Sequence, residues 1–389
     1  MSVQGVRTIA VLELRQRLRT SRWPVVLGVW FLMIGAVAGL TWWAVNRQTS
    51  GPAPTLAADR GTTLYDVVLF FVLGLGMLVV PSLTATSING DREHGVLATL
   101  QTTMLTSADI VIGKLLAAWA IALAFLLAAS PFLVWAWIAG GIEVGRMLLA
   151  VAVLAFVLAV ICALGLMFST LTARTISSAV LTYLTVAALT TGTVIAFLIS
   201  MPILATQDSV RVKTIPATWY EDHNPTSGQG TAAPEPTAAD CVYIVRTQST
   251  MHTERTWWLL ALNPFVVVAD AAPSRKPVSY LGFEPLQMIS DGARSARMGT
   301  TAGPVNECWP ELQPSPSVAG LSQQGGAQQG GAQQQAQQQK LDRERLNKVP
   351  AVWPYGFAFL GLIGGVSTWV AVRRLRTPIH KLPRGTRIA

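Results

Sequence analysis

The chain has 389 residues, of which 51% are apolar and 13% charged, with a formal charge of +9. Soluble domains carry about 25% charged residues, so this composition excludes an ordinary soluble enzyme and points to a membrane protein. The excess of Lys and Arg flanks apolar runs, where it sets orientation and meets anionic membrane lipid, and this excludes a nucleic-acid partner.

Residues 1–23 read as an interfacial helix on the cytoplasmic side. Val11, Leu14 and Leu18 fall on one stripe, Arg15, Arg19 and Arg22 lie beside it, Arg17 lies on the other flank, and Ile9 and Leu12 fall off it. A helix lying in the inner membrane interface fits this pattern. A plain positively charged anchor for the first span accounts for the same residues.

Six apolar runs follow, each of about the 20 residues that cross the hydrocarbon core: 24–45, 64–88, 111–139, 147–173, 177–204 and 351–372. The first is followed by Trp42, Trp43 and Arg47 rather than by a small-residue cleavage site, so it reads as a span and not a signal peptide. Tryptophans mark the ends: Trp42, Trp43, Trp135, Trp137 and Trp353 at one surface, Trp23 and Trp369 at the other. Thr63 and Asp66 read as a cap where the second run begins, and Lys114, near the start of the third, reads as a snorkelling side chain.

With the N-terminus inside, fourteen Lys and Arg flank the spans on the cytoplasmic side against three in the short outer loops, which predicts that both termini are cytoplasmic. The basic tail, 373–389, then lies inside and residues 205–350 form an extracellular insertion. Its two cysteines, Cys241 and Cys308, are a candidate disulfide in an oxidising compartment, while Cys162 lies in the fourth span. Residues 256–269 are apolar but broken by Asn263-Pro264; they read as a re-entrant arm, as the core of the outer domain, or as a seventh span that would move the tail outside. The Gln and Gly-rich stretch 320–339 cannot build a core and reads as a disordered linker.

Between the second and third spans runs GDREHGVLATLQTTMLTSADIVIGK, from Gly90 to Lys114. Asn89-Gly90-Asp91 is a turn signal where the chain leaves the membrane. A short helix from Arg92 to Gln101 then carries Val96, Leu97 and Leu100 on one face, and Thr106 with Asp109 forms a capping box for the third span. A ten-residue helix with so thin an apolar face needs a partner surface: membrane, neighbouring spans or another protein.

The order and spacing of Arg92, Glu93, Gly95, Leu97, Leu100, Thr103, Ile112, Gly113 and Lys114 resemble the signature of ABC type-2 exporter permeases. The basic N-terminal helix before the first span and Leu262-Asn263-Pro264-Phe265 are similar to that family too, while Ala98 and Met104 stand where it usually has an acidic residue and a proline. The resemblance implies an all-α polytopic membrane protein in a bacterial plasma membrane, with an interfacial helix, six transmembrane helices and a coupling helix at 90–108; the large extracellular insertion between the fifth and sixth spans departs from it, being much longer than that family's re-entrant hairpin. It implies a permease subunit pairing with a second permease copy, identical or similar, and bound to ABC ATPase subunits through Arg92, Glu93, Gly95, Val96, Leu97, Leu100 and Lys114. No phosphate-binding Gly-x-x-x-x-Gly-Lys-Ser/Thr loop is present, so ATP and Mg belong on the partner ATPase and this chain needs neither cofactor nor catalysis of its own. His94, His223, His252 and His380 are scattered and indicate no metal site. The alternative is a polytopic anchor that displays 205–350 as a binding or sensing domain. The scarcity of ionisable residues in the spans argues against ion coupling.

Overall fold

A computed structural model of the protein describes residues 2–19, 22–48, 57–93, 106–222, 236–272, 284–299, 305–308, 344–346 and 348–375. The chain is mostly helical and carries six helices long and apolar enough to cross a membrane, as a multi-pass membrane protein does. In chain order the helices are α1 (Val3–Leu18), α2 (Arg22–Gln48), α3 (Ala57–Thr84), α4 (Ser87–Glu93), α5 (Ser107–Ala139), α6 (Val144–Leu171) and α7 (Thr175–Ile203). They continue as α8 (Ala217–Asp222), α9 (Trp257–Ala261), α10 (Pro264–Ala271), α11 (Pro285–Met298) and α12 (Trp353–Leu375). Strands β1 (Ala205–Thr214), β2 (Val242–Met251) and β3 (Val305–Asn306) lie between α7 and α12 in sequence.

By its contacts the chain divides into two units, Met1–Ala196 with Trp258–Arg294 and Pro350–Ala389, and Phe197–Trp257 with Ser295–Val349. Residues 258–272 and 284–294, which the sequence places within the outer insertion, therefore pack with the spans.

In the first unit α3, α5 and α6 are the inner helices. Each buries 56% of its most apolar stretch, against 17% for α2 and α7 and 22% for α12, which leave wide apolar faces open. Leu64, Val68, Leu69 and Leu73 of α3 interlock with Ile121, Ala122 and Phe125 of α5 and with Leu154 and Ile161 of α6. Trp30 of α2 is sunk beside them and donates its indole N–H to the Phe125 carbonyl at 3.0 Å, which an indole needs once it leaves water. Pro131 interrupts the α5 ladder and frees the Leu127 carbonyl. The Ser130 hydroxyl donates to that oxygen at 2.7 Å, so the helix continues.

The capping box of α5 forms as its spacing predicts: Asp109 N donates to Thr106 Oγ1 at 3.2 Å and Thr106 N donates to Asp109 Oδ2 at 3.1 Å. Two other expectations are corrected. Asn89-Gly90-Asp91 is not an exit turn but part of α4, with Ile88 and Asn89 fully buried. α1 packs through Gly5, Val6 and Ile9, with Leu14 against the main core, and leaves Val11 and Leu18 of its apolar stripe exposed, which is the placement a helix lying on a membrane surface gives such residues. Gly113 of α5 permits the packing: a Cβ there would sit 2.8 Å from Ile9 Cβ, so only glycine lets α1 approach this closely. Thr63 and Asp66 do not cap α3, which begins earlier at Ala57. Asp66 instead accepts from the backbone N–H groups of Leu286 at 2.9 Å and Gln287 at 3.1 Å, capping α11. Thr63 donates to Glu284 Oε1 at 3.0 Å.

The apolar stretch 256–269 is two helices broken at Asn263. At about 1.5 Å per residue neither α9 nor α10 approaches a membrane's thickness, so a seventh span is excluded. Val266, Val267, Val268 and Ala269 are buried within the first unit, which also excludes a separate outer core. Asn263 caps α10 by accepting from Phe265 N at 2.9 Å and donates through Nδ2 to the Thr190 carbonyl at 2.6 Å. Thr190 lies in a π-helical turn of α7, Ala188–Gly192, whose wider winding suits it to receive an outside donor. At the far end of α10, fully buried Asp270 accepts from Arg294 Nε at 2.5 Å and from the N–H groups of Val352 and Trp353 at 2.5 and 2.9 Å, capping α12.

The second unit is built on a three-stranded sheet in the order β2-β1-β3. β1 and β2 are antiparallel from Ala205↔Met251 to Thr214↔Val242, and β3 runs parallel to β1 at Val212 and Lys213. Cys241, before β2, and Cys308, after β3, are joined in a disulfide with Cα atoms 6.0 Å apart. The outer strands on both sides of β1 are thereby linked covalently. Where β1 begins and β2 ends, His252 lies between two carboxylates, with Nδ1 2.6 Å from Glu254 and Nε2 3.0 Å from Asp208. The Glu254 bond, reinforced by Asp208 and opposed by desolvation, holds the imidazole protonated above its ordinary 6.5.

Candidate functional site

The stretch 90–114 marked out by the sequence has both its ends in the first unit, and there α1, α4, α5, α6 and α12 meet. A small second core of Ile9, Ile88, Ile110, Val111, Leu166, Ala371 and Leu375 draws one or two residues from each of these helices. Polar and charged groups are set into its edge.

Lys114 is 2% exposed, so it does not snorkel. Its ammonium is 2.7 Å from Asp91 Oδ2, 3.0 Å from Glu13 Oε2 and 3.3 Å from the Ser87 carbonyl. Three donors thus serve α4, α1 and α4 again, which satisfies the ammonium group. Glu13 also receives Arg17 Nη2 at 3.1 Å, and Arg17 reaches on to the Leu83 carbonyl at the end of α3. Two cations and two carboxylates make the cluster formally neutral, the condition under which charges tolerate burial. Burial would push the Glu13 carboxyl up, but attraction to Lys114 and Arg17 and their hydrogen bonds outweigh it and hold the group below its ordinary 4.5.

Two further ties fix the ends of the loop. Ser169 of α6 accepts the backbone N–H groups of Ile88 and Asn89, both at 3.1 Å, and Asn89 Nδ2 donates to Thr172 Oγ1 at 3.1 Å. Asp109 accepts Ser2 N at 2.9 Å, holding the start of α1 to the start of α5.

Of the residues the sequence assigns to ATPase coupling, Lys114 is placed in this cluster and Arg92 and Glu93 form the last turn of α4. Gly95, Val96, Leu97 and Leu100 lie outside the described residues, as do Thr103 and the basic tail beyond Leu375. Glu13, Ser87, Asp91 and Ser169 were not anticipated. Glu13 carried one signal: it is the sole acidic residue among the first 58, set within a helix of arginines.

The helix entering the loop and the helix leaving it are joined by Lys114 and Asp91, and both are joined to α1. Compared with models of known protein families the chain matches none, and none of the curated proteins matches it in sequence.

Proposed function

We propose that the protein is the membrane-spanning permease subunit of an ATP-driven exporter, coupled to separate ATPase chains through the loop 94–105. The observation that carries this reading is the Lys114 cluster. A load on the loop would reach α4 through Asp91 and Ser87, α5 through Lys114, α1 through Glu13 and α3 through Arg17, so that the loop acts on the bundle as one body. A segment serving only as a membrane anchor needs no such linkage.

The interior of the single bundle is filled by fully buried side chains such as Leu69, Ile121 and Leu154. A pathway between two copies, along the open apolar faces of α2 and α7, suits this packing better than one through the chain. Nucleotide and Mg belong to the partner ATPase, and this chain transports without catalysing. The excess of Lys and Arg at the loop end fits a plasma membrane with both termini cytoplasmic. The disulfide of the second unit fits an oxidising exterior.

The test is co-purification in mild detergent followed by ATP turnover. An ATPase chain is expected to accompany the wild type. Glu93→Lys and Leu97→Asp should cut substrate-stimulated hydrolysis severalfold with unchanged membrane insertion, and unaltered coupling in both variants refutes the reading. The second reading, a displayed binding or sensing domain, draws on the separate sheet and disulfide of the second unit. It is favoured if no ATPase accompanies the chain in any mild detergent.

A further inference from the structure

On the outer surface of the first unit, α5, α6 and α12 leave a groove of about 470 Å³, within the range of ligand sites. Its walls are Leu115, Phe156, Val160 and Ala163, its floor is the glycine-rich turn of α12, and Trp369 closes one end. The lining is apolar apart from Thr368, whose hydroxyl proton is committed to the Gly364 carbonyl at 2.8 Å. An occupant of the groove is therefore offered no free donor along its length.

Three glycines lie on the floor, and they are not equivalent. A Cβ on Gly361 would meet Phe156 at 3.4 Å and one on Gly364 would meet Val160 at 3.2 Å, so both serve packing within the chain. A Cβ on Gly365 would meet nothing within 4 Å. Glycine inside a helix costs about 1 kcal/mol relative to alanine, and no intrachain contact at Gly365 offsets that. Its effect is to deepen the groove.

Charge defines the closed end. Arg373 is exposed and lies over the Trp369 ring at 4.6 Å. A tryptophan and an arginine one turn apart at a span end sit at headgroup level. The groove therefore runs from a cation at the surface into the apolar depth, which matches an amphiphile with an anionic head and a hydrocarbon tail.

We propose that this groove is a specific site for an anionic phospholipid of the surrounding membrane, with an acyl chain laid over Gly365 and the headgroup phosphate on Arg373. The site rests on membrane insertion alone and stands whether or not the protein is a transporter.

The test uses the full chain extracted in mild detergent, with native mass spectrometry and analysis of retained lipid. The wild type is expected to keep an anionic phospholipid. Arg373→Gln should lower its retention about fivefold, the weight of one surface cation against an anionic headgroup. Gly365→Phe should abolish retention by filling the groove, while Gly365→Ala should keep most of it; thermal unfolding of all three verifies that the bundle is intact. Equal retention in every variant overturns the proposal, as does equal retention of zwitterionic lipid by the wild type. A disulfide formed between two copies carrying Gly365→Cys also overturns it, by placing a second chain in the groove.

Discussion

Lys114 Nζ lies 2.7 Å from Asp91, so the helix that leads into the loop and the helix that leads out of it are held by one ion pair. Removing the cation strands Glu13 and Asp91 in a poorly solvated pocket, and breaking a buried pair costs about 3–5 kcal/mol. Asp91 keeps some solvent contact, which places Lys114→Met near the lower figure. Thermal unfolding in detergent should show the loss, and Lys114→Met with Glu13→Gln should recover part of it. An additive double variant would show that the two do not interact.

The same cluster sets an acid limit. Because the folded Glu13 carboxyl is held below 4.5, its contribution is complete above that value and is lost as pH falls through the lower folded value. Unfolding temperature measured from pH 6 downward should therefore drop less steeply in Glu13→Gln than in the wild type.

His252 behaves oppositely. Its folded value is raised above 6.5, so its contribution is complete below 6.5 and disappears as pH rises through the folded value. Proteolysis of the second unit should become faster on the alkaline side of neutrality in the wild type. In His252→Gln the rate should be high at all pH values and flat.

Asp66 caps α11 from a position 220 residues away in sequence. Loss of an N-cap costs about 0.5–2 kcal/mol, and Asp66→Ala should fall at the upper end because the site excludes water. Asp66→Asn, which keeps an acceptor, should lose less. Thermal unfolding of the two variants side by side distinguishes capping from charge.

Asp270 joins Arg294 to the first turn of α12. Asp270→Ala should cost about 3–5 kcal/mol and lower the yield of folded protein. Asp270→Ala with Arg294→Leu should restore some of it. Yield and melting point after size exclusion give the comparison.

The spans were legible because hydrocarbon admits little besides apolar helices: the run 24–45 became Trp23–Arg47, and 177–204 became Thr175–Ile203. The capping box at Thr106 and Asp109 was legible because its four residues are local. Asp66, Asp270 and Lys114 were not. Asp66 was expected to act at its own helix end and Lys114 to reach water, and Asp270 carried no local signal; each finds partners between 20 and 220 residues away, brought near by packing that no local pattern encodes.

The Cys241–Cys308 bridge closes a ring of chain that includes α9, α10 and the whole of the helix capped by Asp66. A protease that nicks the ring once cannot release either fragment, because the sulfurs still hold the two ends. Without reductant the cleaved molecule would run as a single species on a denaturing gel, and with reductant as two. The bridge thus makes any single cut in this region invisible until the sample is reduced.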